Sequence, residues 1–197
     1  MIRIGVDFDN TIVCYDTVFH RTAVEHGLVP SSCGTSKTEV RDFLRACGRE
    51  DDWTALQGLA YGDGMMLAHA FDGALDFLLS PPEGAVVTII SHRTRRPYRG
   101  DADLHAAARD WIERNGLRVL LDGNAVFFEE TRNAKFARIS ALACDLFIDD
   151  LPEFLSDPAF PSNVRRILFD PANLHPEASV YSRCRSWRQV AERASVR

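Results

Sequence analysis

The chain has 197 residues, of which 46% are hydrophobic and 26% charged, and its net charge at pH 7 is −5. This length suffices for one domain, or one domain with a modest insertion, and the acidic balance argues against nucleic-acid polymers as ligands. No run approaches the roughly 18 apolar residues of a membrane span, and the start lacks a signal-peptide pattern, so we expect no membrane contact and a cytoplasmic location.

The first apolar run, Ile2–Phe8, has the length and composition of a buried strand. The next segment, 13–70, carries helical patterns separated by glycine and proline. Because about 58 residues is too long for a simple crossover, we expect a small helical cap here, inserted into the domain. Its helices are predicted at Thr17–His26, Lys37–Ala46 and Trp53–Ala60.

After residue 70, short apolar runs alternate with helical patterns, which predicts a parallel sheet with helices on both faces. The predicted fold class is therefore α/β, a three-layer Rossmann-like parallel sheet formed by 1–12 and 71–197, with the helical cap formed by 13–70. Further strands are predicted at Ala85–Ile90, Ala125–Phe128, Leu146–Ile148 and Arg166–Phe169, and helices at Asp72–Leu79, Ala102–Asn115, Asn133–Ala143 and Ser186–Ala194.

Acidic or hydroxyl side chains follow the end of each predicted strand. Ligands of such sheets bind at the carboxyl ends of the strands, so we expect these side chains to converge on one edge. They are Asp7 and Asp9, Ser91, Glu129 and Glu130, Asp149 and Asp150, and Asp170.

Asp7 and Asp9 lie two residues apart on an extended chain, so both carboxylates can face one site. Adjacent carboxylates repel, and a bound cation or a proton on one of them must compensate. Phosphoryl transfer can use both states, because one carboxylate attacks phosphorus while the other protonates the leaving oxygen and later activates water. A strand that simply ends in a polar turn is the alternative.

Ser91 follows five β-prone residues and precedes a turn that begins at His92. A hydroxyl in this place can hold a phosphate oxygen, together with backbone N–H groups of the turn. Strands also end in serine without any such role, so this signal is weak by itself.

Lys135 falls in the first turn of a predicted helix, where a cation opposes the helix dipole by about 0.3–1 kcal/mol. It is one of only two lysines in a chain with 21 arginines. This unusual choice indicates a point charge directed at an anion, although an exposed helix residue would fit as well.

Asp149 and Asp150 follow a hydrophobic strand and can supply the hard oxygen ligands that Mg²⁺ takes, usually one or two carboxylates completed by water and phosphate oxygens. Asp150 also suits the N-cap of a short helix that begins at Pro152, and the two roles are compatible.

These four elements, in this order, resemble the motifs of the haloacid dehalogenase (HAD) superfamily: DxDx[TV], then Ser or Thr, then Lys, then paired acids. The resemblance spans residues 2 to about 152, and the predicted cap lies where that family carries a C1-type cap. The ordered set is more specific than any one motif. It implies a Mg²⁺-dependent hydrolase with the fold predicted above.

The resemblance also implies a role for each residue. Asp7 would be the nucleophile and Asp9 the general acid and base, with its main-chain carbonyl as a Mg²⁺ ligand. Asp7 and Asp149 would complete the metal site, and Asp150 would act directly or through water, a choice that the motif leaves open. Phosphate would be held by Asn10, Thr11, Ser91, His92 and Lys135.

Within the superfamily, dehalogenases generally lack an acid two residues after the nucleophile, whereas this chain has Asp9. We therefore expect a phosphatase for a small phosphorylated metabolite, with a sugar phosphate or a nucleotide as candidate substrates. A phosphomutase, a phosphoprotein phosphatase and a non-catalytic binding or scaffold module are the alternatives. The cap argues against a macromolecular substrate, and the intact motif residues argue against a binding module.

A basic loop, 93–99, follows Ser91 and contains Arg93, Arg95, Arg96 and Arg99. We hypothesise that it contacts an additional anionic part of the substrate; a solvated loop is the alternative. The five cysteines are widely spaced and form no CxxC pair, so we expect them to be reduced and mostly buried.

Overall fold

In the computed structural model, which describes residues 1–195, the chain divides into two units. The sheet unit consists of Met1–Val13, Ala70–Arg93 and the chain from Gly116 onward. The helical unit consists of Cys14–His69 and Thr94–Asn115.

The sheet unit contains a parallel sheet of six strands, which confirms the predicted α/β class. Residues 1–195 contain eight strands, six of which form this sheet: β1 (Ile2–Val6), β2 (Val13–Cys14), β3 (His69–Ala70), β4 (Ala85–His92), β5 (Val126–Glu129), β6 (Leu146–Asp149), β7 (Arg165–Phe169) and β8 (Ser182–Cys184). The order in the sheet is β5-β4-β1-β6-β7-β8, and β2 pairs separately with β3. All five predicted strands are present, with ends that differ by one or two residues.

The helices also follow the predicted patterns, and the short helix predicted at Pro152 is present, although its N-cap is Leu151 and not Asp150. Arg118–Asp122 is a short helix that was not predicted. The helices are α1 (Asp16–Glu25), α2 (Lys37–Ala46), α3 (Glu50–Tyr61), α4 (Ala74–Leu79), α5 (Leu104–Arg114), α6 (Arg118–Asp122), α7 (Arg132–Ala141), α8 (Pro152–Leu155) and α9 (Trp187–Ala194), and a 3₁₀ helix spans Asp63–Leu67. Among residues 1–195, no helix has both the length and the apolar character needed to cross a bilayer.

Strand β1 lies inside the sheet, between β4 and β6, and packs closely on both. Val6 is in register with Ile89 of β4 on one side and with Ile148 of β6 on the other. Gly5 permits this packing, since a Cβ atom there would lie 2.5 Å from the ring of Phe147. The residues that follow β1, β4 and β6 therefore emerge at the same edge of the sheet.

Helices cover both faces of the sheet, as the contacts of two consecutive residues on β7 show. The side chains of Leu168 and Phe169 point to opposite faces, because successive residues of a strand do so. Leu168 belongs to a buried cluster with Phe136 of α7 and Phe154 of α8. Phe169 packs instead against Trp187 of α9, with 5.7 Å between the ring centres. Helices α7 and α8 cover one face, and α9 covers the other.

The helical unit is built around an aromatic core. Phe19 of α1 stacks on Trp53 at 5.2 Å and meets Tyr61 edge-on at 5.4 Å, both residues being on α3. Helix α2 begins at a capping box in which the hydroxyl of Ser36 accepts from the N–H of Glu39, and the Glu39 carboxylate accepts from the N–H of Ser36.

Helix α5 belongs to the helical unit, whereas the predicted boundaries placed 94–115 in the core domain. The apolar face of α5 explains the difference: Leu104, Ala108, Trp111 and Ile112 are buried. The indole N–H of Trp111 donates to the carbonyl of Ala68 at 3.0 Å. The helical unit is thus made from two separate stretches of chain.

The loop before α5 lies against α3, and a glycine makes the contact possible. A Cβ atom on Gly58 would lie 2.7 Å from the carbonyl oxygen of Arg99 and 3.0 Å from Pro97. The side chain of Arg99 also pairs with Asp51 of α3 at 2.8 Å.

The five cysteines are free thiols, as expected. Cys14, Cys144 and Cys184 are buried, Cys33 is half-buried and Cys47 is exposed. Burial raises the pKa of the Cys144 thiol to about 11.

Candidate active site

Lys135 joins two buried carboxylates at the carboxyl edge of the sheet. Its Nζ atom lies 2.5 Å from Oδ1 of Asp7 and 2.6 Å from Oδ2 of Asp149. The side chains of these three residues are between 0% and 7% exposed. A buried ammonium between two carboxylates satisfies charges that would otherwise be costly to bury.

Local structure places each member of this group. The N–H of Asp7 donates to the carbonyl of Ile148 at 2.9 Å, which extends the pairing of β1 with β6 and brings Asp7 beside Asp149. The other carboxylate oxygen of Asp149 accepts from the N–H of Leu151 at 2.9 Å. Thr131 caps α7 by accepting from the N–H of Ala134. This cap fixes where α7 begins, and Lys135, one turn into the helix, reaches both carboxylates.

The surroundings raise the pKa values of both Asp7 and Lys135, but for different reasons. Burial raises the pKa of Asp7 to about 7; Lys135 opposes this, and the carboxylates of Asp149 and Asp9 add to it. Burial disfavours the charged form of Lys135, but the charges of Asp149 and Asp7 outweigh it and raise the pKa of the ammonium. A further cation beside Asp7 would favour its ionised form, which is the nucleophilic one.

A tight turn follows β1. Asn10 adopts the left-handed conformation, with φ of 57°, and its N–H donates to the carbonyl of Val13 at 2.9 Å. The backbone N–H of Asn10, predicted to bind phosphate, is thus used inside the turn. Thr11 is fully buried, and its carbonyl accepts from the indole N–H of Trp187 at 3.1 Å. Its part in phosphate binding stays a prediction, as does that of Asn10.

Asp9, the second acid of the first motif, is held by an arginine that the sequence did not assign to it. Nη1 of Arg93 lies 2.6 Å from Oδ1 and 2.8 Å from Oδ2 of Asp9. The side chain of Arg93 is only 3% exposed. The solvated loop considered for 93–99 is therefore wrong for Arg93, whose guanidinium is buried against a carboxylate of the site.

Ser91 and His92 end β4 but differ in exposure. Ser91 is buried and lies at the same sheet edge as Asp7, whereas His92 is exposed, as expected from the alternation of side chains along a strand. The structure thus brings Ser91 to the edge of the site but does not bring the His92 side chain to the buried group.

Asp150 joins Asp7 and Asp149 in a group of carboxylates whose oxygens lie within 4.8 Å of one another. Hard oxygen donors at this spacing fit a Mg²⁺ ion, which takes one or two carboxylates and completes its octahedron with other oxygens. The side chain of Asp9 faces Arg93 instead, so its predicted part in the metal site depends on its main-chain carbonyl.

The remaining acids at the strand ends have structural partners. Glu129 accepts from Nε of Arg138 at 2.7 Å. The carboxylate of Asp170 accepts from the N–H groups of Leu174 and His175 and thereby shapes the loop after β7. Glu129 ends β5 and Asp170 follows β7, both at the same edge of the sheet, but the two acids bond to helix and loop groups and do not belong to the group of Asp7, Asp149 and Asp150.

Sequence comparison gives no relative: no protein-family model matches, and neither does any curated protein. Structure comparison finds similar folds. A haloacid dehalogenase-like hydrolase from Streptococcus pneumoniae has a TM-score of 0.61 at 14% identity, over 98% of each chain. A HAD-superfamily hydrolase of subfamily IA from Geobacter sulfurreducens has a TM-score of 0.62 at 11% identity, over 98% of this chain and 96% of its own.

A defluorinating L-2-haloacid dehalogenase is also similar, with a TM-score of 0.61 at 10% identity, over 100% of this chain and 96% of its own. Identities this low establish the fold and nothing finer. The chain has the fold of HAD-superfamily hydrolases, and structures with this fold include a dehalogenase.

Proposed function

We propose that this chain is a HAD-superfamily phosphatase, which hydrolyses the phosphate monoester of a small metabolite through an aspartyl phosphate on Asp7. The observation that carries the proposal is the buried group of Asp7, Lys135 and Asp149, with Asp9 two residues beyond Asp7. A carboxylate nucleophile, a cation that neutralises developing charge and a second carboxylate are the groups that phosphoryl transfer needs.

Each step can be assigned to side chains of the site. An oxygen of Asp7 attacks phosphorus, the bond from phosphorus to the leaving oxygen breaks, and that oxygen takes a proton from Asp9. Asp9, now ionised, removes a proton from a water molecule whose oxygen attacks phosphorus. The bond from phosphorus to Asp7 then breaks, and inorganic phosphate is released with the Asp7 carboxylate regenerated.

Lys135 would stabilise the charge on the transferring phosphoryl group, and Ser91 would hold one of its oxygens. Lys135 is pre-positioned for this by two short bonds and by burial, and such preorganised charges contribute much of the stabilisation of a transition state.

Asp7, Asp149 and Asp150 would hold Mg²⁺, which when bound would orient the phosphate and neutralise its oxygens. The donor set supports this part of the proposal, because three carboxylates so close together are hard oxygen ligands of the type that Mg²⁺ takes in proteins.

A dehalogenase is the main competitor, since one of the similar structures has that activity. Asp9 favours the phosphatase, because displacing a halide needs no proton donor for the leaving group, whereas an alkoxide leaving group does. Turnover of a panel of sugar phosphates and nucleotides would identify the part of the substrate beyond its phosphate.

The test is hydrolysis of 4-nitrophenyl phosphate by the purified protein, with Mg²⁺ and with EDTA. Asp7→Asn should abolish turnover. Asp170→Asn is the matched control and should retain activity. It changes a buried carboxylate of the same sheet unit that is not part of the group of Asp7, Lys135 and Asp149. Release of chloride from 2-chloropropionate, in place of phosphate release, would favour the dehalogenase.

Beryllium fluoride, which mimics an aspartyl phosphate, provides a second readout when the aryl ester is rejected. Binding to the wild type with Mg²⁺, and none to Asp7→Asn, would support the proposal. Absence of both turnover and beryllium fluoride binding would contradict it.

A further inference from the structure

Arg93 is bound on several sides where it meets Asp9. Its backbone N–H donates to the carbonyl of Glu129 at 2.9 Å, which ties it to the end of β5. Its guanidinium carbon lies 5.9 Å from the centre of the Phe8 ring. Arg93 is 4% exposed as a whole, so few rotamers are open to it. A fixed guanidinium is a rigid partner for a carboxylate.

Asp9 is less confined than Arg93. Its side chain is 19% exposed, against 3% for that of Arg93, and both of its oxygens lie within hydrogen-bond distance of the same nitrogen, Nη1. An aspartate that extends from a turn has several accessible χ1 and χ2 values, and the bond to a fixed guanidinium selects among them.

We propose that Arg93 is a positioning residue that holds the Asp9 carboxyl group where it can transfer a proton to the leaving oxygen. This rests on the proposed function, because it assigns Arg93 to the proton-transfer step of that reaction. Arg93 acts through Asp9 and not on the phosphate. A displacement of about 1 Å at such a group can cost about 100-fold in rate, so a fixed orientation matters.

The competing role for Arg93 is direct binding of the substrate phosphate, and leaving groups of different basicity distinguish the two. A poor leaving group needs its proton in the transition state, whereas a good one departs without it. Loss of proton transfer therefore slows esters of basic alcohols most. Loss of a phosphate contact slows all esters alike, and it also weakens the binding of inorganic phosphate.

The experiment measures kcat/KM, which reports steps up to phosphorylation of Asp7, for phenyl, 4-nitrophenyl and 2,4-dinitrophenyl phosphate. For Arg93→Gln we expect a loss of about 100-fold with phenyl phosphate and of less than about 5-fold with the dinitrophenyl ester. The inhibition constant of inorganic phosphate should stay unchanged. Arg183→Gln is the matched control, since it removes a half-buried ion-pair arginine of the same unit far along the chain from this site.

A double-mutant cycle tests whether Arg93 acts through Asp9. In an Asp9→Asn background, Arg93→Gln should cost no further activity with phenyl phosphate, because the group that it orients is already gone. A merely structural role would keep its cost in both backgrounds. Arg93→Lys is the second variant, for use if Arg93→Gln fails to fold. It keeps the charge without the planar guanidinium, and it should show the same leaving-group dependence to a smaller extent.

The outcomes separate the two proposals. A loss that grows with the basicity of the leaving group and disappears in Asp9→Asn supports the positioning role. An equal loss for all three esters, or a raised inhibition constant for phosphate, overturns it and leaves the phosphatase standing. No turnover of any ester and no beryllium fluoride binding by the wild type overturns the phosphatase, and the positioning role with it.

Discussion

The ammonium of Lys135 lies 4.2 Å from the centre of the Phe154 ring, so the cation that joins Asp7 and Asp149 rests on an aromatic face. A cation over a ring gains about 0.5–2 kcal/mol, the larger values applying when water is excluded. The ring is itself fixed, because it stacks on Phe136 with 4.6 Å between the ring centres.

Replacing Phe154 by leucine should therefore affect both stability and catalysis. We expect the free energy of unfolding to fall by about 1–3 kcal/mol, from the altered packing together with the lost cation–π contact. Turnover of aryl phosphate should fall as well, because Lys135 loses the surface that holds it. Phe77→Leu, on the opposite side of the sheet unit and equally buried, is the control. It should lose stability but not activity, and equal activity in both variants would contradict the role of the ring.

Lys135→Met should destabilise the metal-free protein strongly. It leaves the carboxylates of Asp7 and Asp149 buried without their cation, and breaking a buried pair in this way typically costs about 3–5 kcal/mol. Urea unfolding in EDTA measures the change. Arg138→Met, which breaks the more exposed pair with Glu129, should cost no more than about 1 kcal/mol. Equal losses in the two variants would mean that the buried pair adds little to stability.

Mg²⁺ should raise the stability of the wild type, by about 2.7 kcal/mol when its concentration is 100 times the dissociation constant. The increment should shrink in Asp149→Asn and Asp150→Asn, and the larger reduction identifies the direct ligand. Asp170→Asn should keep the full increment, although it weakens the loop after β7. Thermal unfolding with Mg²⁺ or EDTA provides the comparison. If the stabilisation by Mg²⁺ were unchanged in both Asp149→Asn and Asp150→Asn, the ion would bind elsewhere.

Gly58→Ala should destabilise the helical unit, although alanine is usually preferred in a helix by about 1 kcal/mol. The added methyl would lie 2.7 Å from the carbonyl of Arg99 and would push the loop away from α3. Thr54→Ala, on the same helix, is the control and should be neutral or slightly stabilising. A Gly58→Ala variant as stable as the wild type would show that the loop yields without cost.

Most of the sheet could be predicted, because β1, β4, β5, β6 and β7 are apolar runs bounded by polar or turn-forming residues. Strand β8 could not be predicted, because it has only three residues, Ser182 to Cys184, and no apolar run. It is a strand through its pairing with β7. Helix α5 was predicted from its periodicity, but periodicity does not reveal which unit will cover Trp111 and Ile112.

For the site, the order of the motifs predicted that Asp7, Lys135 and Asp149 belong to one site, and in the structure Lys135 contacts both carboxylates. The roles proposed for them stay predictions. The partner of Asp9 was missed, since nothing local distinguishes a buried arginine from three exposed ones in the same loop. One signal was available. The repulsion between Asp7 and Asp9 required a compensating positive charge, and Arg93, two residues after Ser91, is a cation next to the end of a strand expected at the same edge of the sheet.

Because the helical unit is assembled from Cys14–His69 and Thr94–Asn115, the chain passes between the two units four times. Neither unit can then be exchanged with a relative by replacing one continuous segment. A chimaera that swaps only the first stretch would leave the apolar face of α5, with Leu104, Ala108 and Ile112, facing a surface that did not evolve with it. Any recombination of this protein that keeps its stability should therefore carry both stretches together.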